Sequence, residues 1–291
     1  METIEYANDG QFHSGHVACG GCVEALALRV ILNTVGEDAV AVVPPSCTAV
    51  ICGGHPFSAV GIPVFHTTLE SGAASASGVK RALLAQGRDD TTVLCLAGDG
   101  GTYDIGLQAL SSAAERNEDI LYVCFDNEGY MNTGGQKSSS TPLGAVTGST
   151  PAGKVTHKKN LVEILAAHRI PYIATASPSH LNDMRAKIEK AKGLKGTKVI
   201  IIVIPCLPGW GVADDSAVKT ARKAVNSGVF PLFEVEGGTA YTLNIDGKDE
   251  SVDGYLALQK RYRHLTEENT AHIQADVDEE WRRLRKRAAE D

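Results

Sequence analysis

The sequence predicts an α/β protein, a mostly parallel sheet with helices on both faces, followed by a C-terminal arm and a helical tail. Three observations predict it. Short β-branched apolar runs alternate with helical patterns. Several of those runs are apolar throughout, as strands buried on both faces are. Asp99, Asn127 and Cys206 each stand just beyond such a run, and open α/β sheets bind their ligands at the carboxyl ends of strands.

The elements follow in order. Glu24–Thr34 has a helical pattern and leads into a strand at Ala39–Val43. Pro63–Thr67 is the next strand, Ser71–Ala85 a helix, and Thr92–Ala97 a strand. Ile105–Arg116 reads as helix and Ile120–Asp126 as strand. Gly129 to Gly153 is long, polar and rich in Ser, Thr and Gly; a connection of that length is functional or disordered. Leu161–His168 (helix), Tyr172–Ala176 (strand), Ser179–Ala191 (helix) and Lys198–Pro205 (strand) complete the alternation. Residues 207–254 read as an irregular arm over the surface. From Tyr255 the pattern turns helical, and Ile273, Val277, Trp281 and Leu284 form one apolar stripe. The chain is thus expected to divide into an α/β domain over 1–206 and an arm with a helical extension over 207–291.

Composition excludes several classes. With 43% hydrophobic and 22% charged residues the chain is neither disordered throughout nor fibrous. A net charge of −7 without a long basic run argues against nucleic acid as a partner. The longest apolar stretch, Val199 to Pro205, is far short of the ~20 residues that span a bilayer. Met1 to Gly10 has neither a basic nor an apolar leader region, so a cytoplasmic, reducing compartment is expected.

In that compartment cysteines point to metal or redox chemistry, and the seven here are too odd a number for a closed disulfide framework. Cys19-Gly-Gly-Cys22 is a CxxC pair whose glycines ease the turn that lets two sulfurs face one centre. Cys47 and Cys206 follow strands. By spacing alone the set is open between a zinc site, a redox disulfide, an iron–sulfur ligand set and a chance spacing that binds no metal. Cys95 and Cys124 lie inside apolar strand runs and read as small core residues. Cys52 reads as structural, although it stands near Cys47.

A second constellation begins at Gly98-Asp99-Gly100-Gly101, directly after a strand. Glycines there let backbone N–H groups approach a phosphate, and the helix that follows favours negative charge. A diphosphate needs a hard cation, and Asp99 and Asn127 offer oxygen ligands from two neighbouring strand ends, with the Gly129 carbonyl as a third. Gly-Asp-Gly followed by Asn, with 26 residues between Gly100 and Asn127, is the pattern of a thiamine diphosphate motif. Asp104 is a candidate helix cap.

With both motifs in hand, the chain resembles the β subunit of the multi-subunit 2-oxoacid:ferredoxin oxidoreductases, the pyruvate:ferredoxin oxidoreductase family. The resemblance runs from about His13 to Asn244. It is carried by Gly15-His16-Val17-Ala18-Cys19-Gly20-Gly21-Cys22, Gly98 to Gly106, Asp126 to Gln136, Pro205-Cys206-Leu207-Pro208-Gly209-Trp210 and Gly228 to Leu232. It implies a thiamine diphosphate-binding fold. It implies that Cys19, Cys22, Cys47 and Cys206 ligate a 4Fe–4S cluster and that Asp99, Asn127 and the Gly129 carbonyl bind Mg²⁺. Gly98, Gly100 and Gly101 would cradle the diphosphate, Asn132 and Thr133 would lie by it and the reactive ring, and Glu24 would contact thiamine. Cys47 would touch the cofactor as well. Val23 and Ser71 depart from the family's commoner Gly and Asn.

The implied activity is coenzyme A-dependent oxidative decarboxylation of a 2-oxoacid, pyruvate first, with oxalate, branched-chain 2-oxoacids and phenylglyoxylate as family alternatives. Electrons pass from thiamine diphosphate to the cluster and on to ferredoxin. No thiamine-activating glutamate lies in a recognisable motif, and no C-x-x-C-x-x-C-x-x-x-C-P run is present, so α, γ and δ-type partner subunits are expected to supply both. Two readings compete: a non-redox thiamine decarboxylase or synthase, which leaves four cysteines unexplained, and a zinc-stabilised non-catalytic subunit. Glu70 is a candidate for the diphosphate region, and His16, His55 and His66 lie near the motifs but read as structural.

Overall fold

The computed structural model describes residues 10–245 and 249–289. One eight-stranded sheet organises them, in the order β2-β1-β3-β4-β6-β5-β7-β8. β1 (Ala39–Val43), β2 (Val64–His66), β3 (Thr92–Gly98), β4 (Leu121–Asp126), β5 (Tyr172–Ala176) and β6 (Lys198–Val203) run parallel. β7 (Phe233–Glu236) and β8 (Ala240–Leu243) extend the sheet antiparallel beyond β5. The helices are α1 (Val23–Val35), α2 (Cys47–Cys52), α3 (Gly72–Ala85), α4 (Leu107–Glu115), α5 (Leu161–Ala166), α6 (Leu181–Gly193), α7 (Leu207–Trp210), α8 (Ala217–Asn226), α9 (Asp253–Leu256) and α10 (Glu267–Ala288).

The expected strands form because their runs are apolar on both faces. Every residue of β4, β5 and β6 is buried, and Cys95 in β3 and Cys124 in β4 have no exposed surface. Cys52 is buried too, closing α2, a short helix that the sequence pattern did not announce.

The arm differs most from expectation. Residues 207–254, read as irregular, contain α7, α8 and both antiparallel strands. Their signal is weak because β7 and β8 are four residues each and mix Glu, Thr and Tyr into the pattern. The sheet therefore continues past residue 206. α10 lies against β8, with Trp281 and Leu284 of its stripe buried. Trp281 also donates its indole N–H to the Gly228 carbonyl at 2.8 Å. Among the described residues no helix is long and apolar enough to cross a membrane.

Register positions the site. Gly98 lies opposite Phe125 and Asp126 opposite Val203. The residues after β3, β4 and β6 thus emerge on one edge, where β1 also delivers Cys47. Leu96, without exposed surface in β3, tests this core: Leu96→Ala should cost about 2–5 kcal/mol of unfolding free energy in a denaturant titration of the full chain.

Candidate cofactor site

The turn after β4 is the centre of the site. Glu128 adopts φ 64°, a left-handed conformation that costs a β-carbon-bearing residue about 1–2 kcal/mol. The turn brings the Asn127 carboxamide to the Gly129 carbonyl. One terminal atom of that carboxamide stands 2.9 Å from Asp99 Oδ1 and 2.8 Å from the Gly129 carbonyl oxygen. With nitrogen in that place the amide donates to both. With oxygen in that place three oxygens converge, which is the donor set a hard cation takes. The three residues proposed for Mg²⁺ are thus drawn to one point, and their chemistry fits the ion.

Asp99 is buried, and burial together with the neighbouring Asp126 holds its carboxyl well above the usual range. Ser138 opposes this by donating its hydroxyl to Asp99 Oδ2 at 2.5 Å. Asp126 accepts from Ser140 Oγ at 2.5 Å, Tyr103 at 3.1 Å and Lys158 Nζ at 2.6 Å. Glu128 pairs with Arg261 at 2.5 Å and with Lys158 at 3.4 Å, and Thr141 donates to its carbonyl at 2.7 Å. Arg261 also stacks on Trp210, 3.9 Å from the ring centroid, and the Trp210 indole donates to the Asn127 carbonyl at 2.7 Å.

The glycine segment does not lead straight into a helix. Gly98 ends β3, and Gly100–Asp104 winds into one wide turn before α4 begins at Leu107. A β-carbon at Gly100 would run into the Tyr130 ring, so only glycine allows that approach. Asp104, expected as a cap, instead accepts from Tyr130 at 2.8 Å and from the Ser139 backbone at 3.2 Å. Gly101 is buried in the same turn. Asn132 donates to the Ser46 carbonyl at 2.9 Å, tying the loop to the start of α2. Thr133 donates to Gln136 at 2.5 Å. Glu70 is exposed and accepts from Thr68 at 2.9 Å, away from these contacts.

The four cysteines come from three separate places in the sequence. Cys22 opens α1, its N–H donating to the Cys19 carbonyl at 3.0 Å. Cys47 opens α2, and Cys206 precedes α7. Gly21 takes φ +80 with its α-carbon against the Asp214 carbonyl, so the CxxC turn is seated on the arm. Burial pushes the Cys47 thiol up, helped by the negative charge of Glu24, Cys206, Cys22 and Cys19. Cys206 is pushed up to about 11 by burial, with Cys22, Cys19 and Glu24 adding to it. Cys22, Cys47 and Cys206, each raised by burial and in part by neighbouring thiols, have an electron-rich setting that a cationic metal centre offsets. Among the described residues no three His, Cys, Asp or Glu side chains close on a single ion; the four cysteines are near enough for Cys47 and Cys206 to feel the charge of Cys19 and Cys22. Glu24 is buried beside it, pushed up to about 7 by burial against a 2.6 Å hydrogen bond from Thr48.

The two constellations meet at Asn127. The carboxamide atom turned away from Asp99 lies 4.0 Å from Cys47 Sγ. The histidines stand outside this contact: His16 stacks on Phe12 at 5.0 Å, and His66 lies 3.2 Å from the Gly53 carbonyl.

Sequence reasoning missed Ser138, Ser140, Lys158, Trp210 and Arg261. Their visible signals were the polar length of Gly129 to Gly153, which holds the two serines, and the Pro205–Trp210 stretch, which includes Trp210 without giving it a role; nothing local marks an arginine that acts from 133 residues away.

A sheet of this order, with a glycine turn, an oxygen trio and a thiol quartet at one edge, defines a thiamine diphosphate-binding protein, and residues 52–203 match the family described as thiamine pyrophosphate enzyme, C-terminal TPP binding domain. The chain is 46% identical over 276 residues to pyruvate synthase subunit PorB of Methanothermobacter thermautotrophicus, covering 93% of this chain and 96% of that one. It is 43% identical over 290 residues to ketoisovalerate oxidoreductase subunit VorB of Pyrococcus furiosus, covering 95% and 93%. It therefore belongs to the β subunits of the 2-oxoacid:ferredoxin oxidoreductases. A solved 2-oxoglutarate:ferredoxin oxidoreductase from Magnetococcus marinus shares its fold, with a TM-score of 0.60 at 20% identity over 74% of this chain and 79% of that one.

Removing Arg261 leaves the buried Glu128 with only the longer, 3.4 Å contact to Lys158, which also serves Asp126. Arg261→Ala should cost about 3–5 kcal/mol in thermal unfolding of the full chain, and Arg261→Lys should recover only part, because lysine keeps the charge but loses the planar stack on Trp210.

Proposed function

We propose that this chain is the cofactor-bearing subunit of an enzyme that oxidatively decarboxylates a 2-oxoacid with coenzyme A, pyruvate being the substrate. The observation that carries the reading is the contact of one side chain, Asn127, with both the oxygen trio and Cys47. Asp99, Asn127 and the Gly129 carbonyl would hold Mg²⁺. The turn through Gly98, Gly100 and Gly101, with Asn132 and Thr133, would line the diphosphate. Cys19, Cys22, Cys47 and Cys206 would carry a 4Fe–4S cluster, whose ligand sulfurs stand farther apart than those around a single ion. When bound, thiamine diphosphate supplies the nucleophilic carbon and the electron sink for decarboxylation, and the cluster takes electrons singly.

This chain's own residues then position and shield. Asp99 and Asn127 would hold the cation at the strand ends, Ser138 and Trp210 hold those two in place, and Glu24, buried near Cys47 and pushed up to about 7, can keep a proton near neutral pH. The pyruvate synthase relative supports pyruvate; the ketoisovalerate relative makes a branched 2-oxoacid the comparison substrate. Partner subunits of α, γ and δ type would supply the thiamine-activating glutamate and the onward clusters to ferredoxin, in the cytoplasm.

Two measurements test this. The isolated chain should not reduce methyl viologen with pyruvate and coenzyme A, whereas the assembled complex should; turnover by the chain alone overturns the reading. Cys206→Ala should keep the circular dichroism of the fold but lose most of its bound iron, and a variant that stays brown with full iron overturns the ligand assignment.

A further inference from the structure

The Asn127 carboxamide has two settings, and its neighbours favour each under a different condition. Trp210 pins the backbone carbonyl at 2.7 Å, and the residue is buried, so rotation of the amide end is the movement open to it. Surrounded by protein alone, nitrogen belongs between Asp99 Oδ1 and the Gly129 carbonyl, 2.9 and 2.8 Å away, donating to both. The amide oxygen then faces Cys47, and no N–H is delivered to the sulfur. A cation on Asp99 reverses this preference, because it takes an oxygen and repels an N–H. The nitrogen is then turned to Cys47 Sγ, 4.0 Å away, and a thiolate bound to iron has no proton and only accepts.

We propose that Asn127 is an occupancy relay: seating of the cation and diphosphate turns its amide, delivers an N–H to the Cys47 sulfur, and makes the cluster easier to reduce when the thiamine site is filled. Hydrogen bonds to cluster sulfurs raise the reduction potential. Only hydrogen bonds are exchanged in the turn; the electron that reads it comes from the added reductant. The inference rests on the Mg²⁺ and cluster assignments proposed above.

The test uses the assembled complex with ¹⁵N in the asparagine side chains, reduced with dithionite and read by pulsed EPR. A side-chain ¹⁵N coupling to the cluster is expected with Mg²⁺ and thiamine diphosphate bound, and it is lost when both are stripped by chelation. Asn127→Asp, which keeps an oxygen for the cation but has no N–H, lacks the coupling. Asn132 donates to the Ser46 carbonyl in either state and cancels in the loaded-minus-stripped difference, which needs no variant. In the same samples the cluster's midpoint potential moves upward on loading. A coupling equal in both states, or missing from both beside a strong cluster signal, or an unmoved potential, overturns the relay and leaves the functional reading standing. A complex with no cluster signal in any state overturns that reading and the relay with it.

Discussion

Three carboxylates, Asp99, Asp126 and Glu128, lie buried within a few residues of the ends of β3 and β4. A buried carboxylate costs several kcal/mol unless it is paired and hydrogen-bonded, so their surroundings are not free to vary. Lys158 answers Asp126, and Arg261 answers Glu128. Among the described residues no cationic side chain bonds to Asp99, which keeps one oxygen toward Asn127 and the Gly129 carbonyl. Asp99 is therefore the carboxyl whose charge its surroundings favour least, and a positive group seated beside it would stabilise that charge.

That demand explains features that look unrelated along the chain. The polar loop after Gly129 gives no regular element, yet it supplies Ser138 to Asp99 and Ser140 to Asp126. The arm brings Trp210 to the Asn127 carbonyl and seats the CxxC turn against Asp214. Strain at Glu128 is held by bonds from Arg261, Lys158 and Thr141. Ser140, Trp210, Arg261, Lys158 and Thr141 all act on Asp126 to Glu128, so the local geometry of that stretch is fixed from several directions at once.

The parallel strands were legible because β-branched runs such as Lys198–Val203 are buried on both faces and show no alternation. Asp99, Asn127, Cys47 and Cys206 stood out because they follow strands, and Cys19 and Cys22 because of their CxxC spacing. What stayed hidden was supplied by distance or by mixed patterns. Arg261 and Lys158 look like any surface cations until the fold buries the acids they meet. β7 and β8 carry Glu and Tyr because Glu234 accepts from Tyr172 at 2.8 Å and pairs with Lys190 at 2.7 Å, which blurs the period a strand would show. Asp104 misled because a wide turn, not a capped helix, follows Gly98.

The pairing of Glu128 with Arg261 spans 133 positions of sequence, and this sets an order of events in the life of the chain. While the polypeptide is still emerging from the ribosome, β3 and β4 can pair and the glycine turn can form. Glu128 has only its longer contact with Lys158, and Trp210 is unbraced, until Arg261 has been synthesised and released from the exit tunnel. The turn after β4 is thus completed only after the whole sheet has been made, and a nascent chain presents a finished sheet before it presents a finished turn.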